Sequence, residues 1–368
     1  MKIILYLFLG ITALAIGFFA WFFIFFLKVP ELKITQDMPE SKKIELIDKW
    51  LDTLQAQNKF NGVVLFTKDG QSLLSKGYGF TNHKKDKKLT EHSSLRLASV
   101  SKQFTAAGTM LLKEKGAIGY DDLVSKYIKG FPYEKVTIRH LLNQTSGVPD
   151  IYMELADSHK ENISILTNEI AVDLIVKEKR ETEYPPNEIW QYSNSNYIIL
   201  ARLIEIISGL SFEEYMSKEL FIPLGMVNTR VWNLKSKETT FLNKADDFEN
   251  FEGISSPIES TFIDGVAGDG AVFSSSQDML IWDAFWDKNS LISPSNLAEA
   301  FKKPTLNNGK LSDYGFGWLV TDNGMWHNGS WLGARTIIVR NTKKKTCMVL
   351  IDNSSNVFFD EIIEELKG

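Results

Sequence analysis

The chain has 368 residues, 44% of them hydrophobic and 24% charged, with a formal net charge of -5. That length and apolar content suit a large folded domain and exclude a disordered chain, and the acidic balance offers no basic field to hold a nucleic-acid backbone. A single cysteine, Cys347, excludes an internal disulfide and a thiolate zinc site.

Charge is absent from Ile3 to Leu27, where Phe, Leu and Ile abound. At about 1.5 Å per residue this run exceeds the roughly 30 Å hydrocarbon thickness of a bilayer. Residues 1–28 therefore read as a single-pass transmembrane signal anchor, with residues 3–27 in contact with lipid. A cleaved signal peptide is the rival reading, since Lys2 supplies a basic start; the length of the run and the lack of a small-residue cleavage site favour the anchor. Lys2 on one side is matched by Lys28 and Lys33 on the other, so charge assigns no orientation. Residues 29–40, with Pro30 and Pro39, read as a linker, and residues 41–368 as the catalytic domain.

Ile44, Ile47, Leu51 and Leu54 recur at helical spacing and predict a helix over 41–57 with one buried face. Two strand-like runs, 60–67 and 72–79, flank Lys68-Asp69-Gly70-Gln71, where Asp-Gly signals a hairpin. Helical patterns then dominate the middle: 102–115, 138–142, 197–208 and 277–286. Strand patterns return over 314–320, 324–328, 334–340 and 346–352, and an amphipathic helix is expected over 359–367. Cys347 falls inside an apolar strand and reads as a core residue. The order predicts an α/β (α+β) fold: an antiparallel sheet assembled from both chain ends, flanked by the first and last helices, with an all-helical region inserted.

Three short motifs could carry chemistry. Ser99-Val100-Ser101-Lys102 lies where a polar segment enters a helix, and residues three apart share a helical face, so Lys102 would stand beside the Ser99 hydroxyl. A lysine held out of water can act as the base that activates a serine, and a helix start offers N–H groups to an oxyanion. The alternative is a helix cap beside a solvated lysine. Tyr192-Ser193-Asn194 sits in a loop before a helix, offering a phenol for proton transfer and an amide for substrate, or else a simple turn. His327-Asn328-Gly329-Ser330 ends a predicted strand, where Gly329 would admit a substrate backbone and the Ser330 N–H could complete an oxyanion site. The five histidines form no local metal cluster, His140 reads as structural, and no metal or organic cofactor is implied.

In this order and spacing the motifs resemble those of the serine β-lactamase and penicillin-binding protein family, in its class C-like branch. The likeness runs from about residue 41 to 366. It includes the segment 139–149, with His140-Leu141-Leu142-Asn143-Gln144-Thr145-Ser146-Gly147, the glycine-rich segment 265–278, and Tyr314-Gly315-Phe316-Gly317-Trp318. The resemblance implies a β-lactamase/transpeptidase-like fold and a serine hydrolase with Ser99 as nucleophile. It further implies that Lys102 and Tyr192 share acid and base work, Asn194 orients a substrate amide, His327 and Gly329 line a strand edge, and Ser330 donates to the oxyanion. Most class C β-lactamases carry Lys where this chain has His327, which points away from efficient β-lactam hydrolysis and toward D-amino-acid peptidases or esterases. The expected substrate is a small molecule or peptide, peptidoglycan-derived material included, and the expected location of the domain is periplasmic or extracellular. A catalytically silent wall-binding or sensing module and an envelope transacylase stay open as alternatives.

Overall fold

The computed structural model describes residues 28–236, 240–251 and 253–367, together with Gly17. The expected anchor, residues 1–28, lies outside the described residues except for Gly17 and Lys28. Among the described residues no single helix is long and apolar enough to cross a membrane. The chain forms two compact units, one from residues 1–60 and 357–368 and the other from 61–356.

In the smaller unit, the helix Glu40–Ala56 buries Ile47, Trp50, Leu51 and Leu54, the face its spacing predicted. The helix Phe359–Lys367 carries Glu361 and Glu365, whose carboxylates accept from the Val29 and Leu32 amides at 3.1 and 2.7 Å. Trp50 Nε1 donates to the Pro30 carbonyl at 2.7 Å. The segment read as a linker is thus tied at Val29, Pro30 and Leu32 to helices of its own unit.

The larger unit holds a six-stranded antiparallel sheet. Its strands are β1 (Gly62–Lys68), β2 (Gln71–Tyr78), β3 (Leu319–Thr321), β4 (Gly324–Trp331), β5 (Ala334–Asn341) and β6 (Thr346–Asp352). The spatial order is β2-β1-β6-β5-β4-β3, so β6 joins the N-terminal hairpin to the C-terminal strands. Asp69 and Gly70 both have positive φ, as the two-residue turn between β1 and β2 requires. Val63, Val64 and Leu65 are all fully buried, so both faces of β1 are shielded, and Cys347 is buried in β6 as expected.

The inserted helical region surrounds the helix Lys102–Glu114, buried at every residue from Lys102 to Leu112. A helix shielded on all sides belongs at the centre of a large core. Beside it runs Asn194–Ser208, whose apolar sequence likewise reflects burial.

Two strand expectations need correction. Of 314–320, only the last two residues enter a strand: Tyr314–Trp318 is a turn, with Gly317 at φ +75°. A Cβ on Gly317 would stand 2.8 Å from the Gln103 backbone, so this turn presses against the start of the central helix. Conversely, β4 continues through His327-Asn328-Gly329-Ser330 to Trp331, because Asn328 to Trp331 pair with Ile337 to Ala334 of β5.

Candidate active site

Ser99 is placed by a sharp change of chain direction. The short strand Leu95–Arg96 gives way to Ala98, a non-glycine residue at φ +47°, and then to a 3-10 turn, Ala98–Ser101, that runs into the central helix. Positive φ at such a residue is a strained conformation that the surroundings must hold. They do so through Val272, whose carbonyl accepts from Leu97 N at 2.8 Å and whose amide donates to Ser101 Oγ at 3.1 Å.

Lys102 then stands one turn beyond Ser99. Its ammonium donates to Ser99 Oγ at 3.1 Å, to Asn194 Oδ1 at 2.8 Å and to the main-chain carbonyl of Asp269 at 2.8 Å. The side chain is fully buried. All three of its hydrogens are therefore directed, and one is directed at the serine.

Asn194 heads the helix Asn194–Ser208 and bridges Lys102 to Asp150, its Nδ2 donating to the Asp150 carboxylate at 3.1 Å. Gln144, at φ +59°, holds the preceding loop: its Oε1 accepts from Ser193 N at 3.0 Å and Asn196 Nδ2 at 2.6 Å. A Cβ on Gly147 would meet the Tyr184 carbonyl at 2.0 Å. The segment around Asn143-Gln144-Thr145-Ser146-Gly147 thus acts as a brace for Tyr192-Ser193-Asn194, a role the sequence did not disclose.

Tyr192 presents the face of its ring to Lys102, with the ammonium 4.9 Å from the ring centroid. Its hydroxyl is buried and has no partner among the described residues, so it bonds neither Ser99 nor Lys102. A buried hydroxyl without a partner, on a ring that faces the lysine, is free to exchange a proton with a bound group.

On the sheet side, a Cβ on Gly329 would lie 2.7 Å from both Ser99 N and Leu97 O, and only glycine lets β4 pass this close. β3 pairs with Gly324 to Trp326 alone, so β4 from His327 onward has no strand on that side among the described residues. His327 shares the inward face with Gly329 but is buried, packed by Tyr192 and Tyr314. Its Nδ1 lies 2.6 Å from the Asn328 carbonyl, an acceptor, so Nδ1 carries the hydrogen and Nε2 accepts from Tyr314 Oη at 2.9 Å. Burial, reinforced by the Lys102 charge, lowers its pKa to about 3, so the imidazole is neutral.

A cavity of about 90 Å³ opens beside Ser99, lined also by Asn194, Ser330, Tyr152, Asp264 and Asp269. Ser99, Lys102, Asn194, Gly329 and Ser330 are thus brought together, while His327 faces the tyrosines instead of the cavity. Tyr152 and Asp269, which the sequence reading did not single out, belong to the same site: Tyr152 Oη donates to Asp269 Oδ2 at 3.1 Å. Asp269 lies between Gly268 and Gly270, where the glycine pattern of residues 265–278 masks the one carboxylate of that segment that reaches the cavity. Larger hollows elsewhere hold none of the residues of this constellation.

A sheet built from both chain ends, an inserted helical region, and a serine bonded by a buried lysine at the seam define a serine hydrolase of the β-lactamase/transpeptidase architecture. The comparisons agree. The Beta-lactamase family model matches residues 47–364, and the chain belongs to that family. It is 35% identical over 316 residues to penicillin-binding protein 4* of Bacillus subtilis, covering 82% of this chain and 70% of that one. It is 28% identical over 323 residues to protein flp of Staphylococcus aureus, covering 83% of this chain and 61% of its relative. Among solved structures, the D-amino acid amidase of Ochrobactrum anthropi superposes with a TM-score of 0.69 at 21% identity, covering 89% of this chain and 99% of that one.

Proposed function

We propose that the chain is a membrane-anchored serine hydrolase that forms an acyl-enzyme on Ser99 from a D-amino-acid-containing peptide, amide or ester. Residues 1–28 would anchor it, 29–40 connect, and 41–368 carry the reaction on the periplasmic or extracellular side. The 3.1 Å bond between Lys102 Nζ and Ser99 Oγ carries this reading. Lys102, an ammonium that donates to Ser99 Oγ at rest, first gives one proton up to solvent, and Ser99 Oγ then attacks the carbonyl carbon as its own proton passes to the resulting amine. The C–N or C–O bond then breaks, the departing group takes that proton, and water hydrolyses the acyl-serine to free acid and regenerated hydroxyl. Tyr192, its hydroxyl unpartnered, is assigned to proton transfer at the leaving group; Asn194 orients the acyl portion, and the Ser99 and Ser330 amides receive the oxyanion.

Support for the substrate class comes from the D-amino acid amidase that shares the fold and from the penicillin-binding relative, together with neutral His327 in place of a permanent cation. Incubation of the full chain in detergent with a penicillin and, separately, with a D-alanyl ester, followed by intact-mass measurement, tests the mechanism. A covalent adduct is expected on the parent and not on Ser99→Ala. Equal turnover of the ester by both proteins would remove Ser99 from the role.

A further inference from the structure

The charges around the cavity beside Ser99 are unevenly disposed. Its walls include one basic residue, Arg96, and that guanidinium is consumed by Asp247, Nε to Oδ2 at 2.6 Å, both side chains buried. Lys102 borders the site but directs its three hydrogens to Ser99, Asn194 and a main-chain carbonyl. His327 is neutral and turned away. Among the described residues that line or border the cavity, no further cation is left to receive the carboxylate of a substrate.

The acidic lining residues differ from one another. Asp264 is committed to structure: Oδ1 accepts from Trp331 Nε1 at 2.5 Å, and Oδ2 from Thr261 N at 2.6 Å. Asp269 is not. Its carboxylate takes the Tyr152 hydroxyl and, among the described residues, is ion-paired to no Lys or Arg; Lys102 bonds its main chain instead. The side chain is partly exposed and lines the same hollow as Ser99. Burial raises its pKa, and the nearby Lys102 ammonium and the Tyr152 hydroxyl offset that rise only in part. A carboxylate that lines the cavity with no Lys or Arg bonded to it is placed to accept a cation that a ligand supplies.

We infer that Asp269, positioned by Tyr152, is a specificity-determining residue that receives a free ammonium group on the acyl portion of the substrate. The inference rests on the acyl-serine reading above and narrows it to aminoacyl amides and esters, with the amine unblocked. A volume of about 90 Å³ holds roughly three waters' worth of atoms. That suits an ammonium with a methyl-sized side chain, and Met153, Ile263, Val266 and Trp331 provide the apolar wall against which the latter would lie.

The experiment compares three 4-nitroanilides on the full chain: D-alanyl, isobutyryl, in which a methyl replaces the ammonium, and N-acetyl-D-alanyl. The D-alanyl compound is expected to show the highest kcat/KM, and Asp269→Asn to cut its advantage over isobutyryl by about tenfold to a hundredfold. Ethylammonium should also compete with isobutyryl hydrolysis by the parent protein, and propionate should not; this arm needs no variant. Hydrolysis that depends on Ser99 but is indifferent to the ammonium, or an equal loss for both donors in Asp269→Asn, would overturn the assignment of Asp269 alone. Hydrolysis unchanged in Ser99→Ala would overturn the acyl-serine reading itself.

Discussion

His327 shows how position within a fold decides what a residue can do. Unfolded, an imidazole protonates near its ordinary 6.5; in the fold it resists until about 3, because burial and Lys102 both oppose a second charge. Between those values the unfolded chain binds more protons, so stability is fully present above about pH 6.5 and falls as pH drops toward 3. The loss is about 1.4 kcal/mol per pH unit in this window, or about 2 kcal/mol at pH 5 relative to pH 7. Urea unfolding at the two pH values should show the parent losing about that much more than His327→Gln, whose amide oxygen can still accept from Tyr314. Equal losses would mean that the imidazole is charged within the fold. At this scale the three-residue spacing of Ser99 and Lys102 leaves a helix cap open as the alternative, and it is the order of the later motifs, with the resemblance they carry, that points to a nucleophile and its base. The sequence could not disclose Asp269, whose main-chain oxygen meets Lys102 across 167 positions.

The element that matters most to the site is β4, and its constraint is space more than hydrogen bonding. Gly329 brings the strand so near the 3-10 turn at Ser99 that an added methyl would collide with Leu97 O and Ser99 N, both main-chain atoms, at 2.7 Å. Gly329→Ala must therefore shift either the strand or the turn that presents Ser99. A displacement of about 1 Å at reacting groups costs on the order of a hundredfold in rate. Single-turnover acylation of Gly329→Ala by a D-alanyl ester is expected to slow by about that factor; an unchanged rate would show that β4 does not set the position of Ser99. Most elements were legible because burial imposed a period: the one-sided helix Glu40–Ala56, the Asp69-Gly70 hairpin, and the apolar strands β5 and β6. Tyr314–Trp318 was not. Alternating glycine and aromatic residues imitate a strand, whereas here the glycines make room for a turn to pack on Gln103 and on the Ala300 carbonyl.

At the scale of the whole molecule, the order of patterns along the chain revealed a sheet divided between its ends, since strand periods vanish in the middle and return late. What that order could not give is the linking register, in which β6 pairs with β1 on one side and β5 on the other. The hairpin β1-β2 reaches the rest of the sheet only through β6, by contacts such as Asn61 N to Asp352 Oδ2, 291 positions apart. The contact that brings the two central helices together at Lys102 and Asn194 spans 92. Loop closure scales with the logarithm of length, so joining β1 to β6 costs about 1 kcal/mol more in chain entropy than docking those helices, before any packing is gained. The helical region should therefore condense first and the sheet close last. Pulsed hydrogen exchange during refolding, read by mass spectrometry, should show amides of Lys102–Glu114 and Asn194–Ser208 protected before those of β1 and β6. Protection of β1 and β6 at the same moment as the helices, or earlier, would mean that the chain ends meet before the core that separates them has formed. The same order has a consequence for activity: Lys102 opens the early-forming helix, Ser99 lies in the 3-10 turn that leads into it, and Gly329 lies on the sheet, so acylation should recover with the later phase.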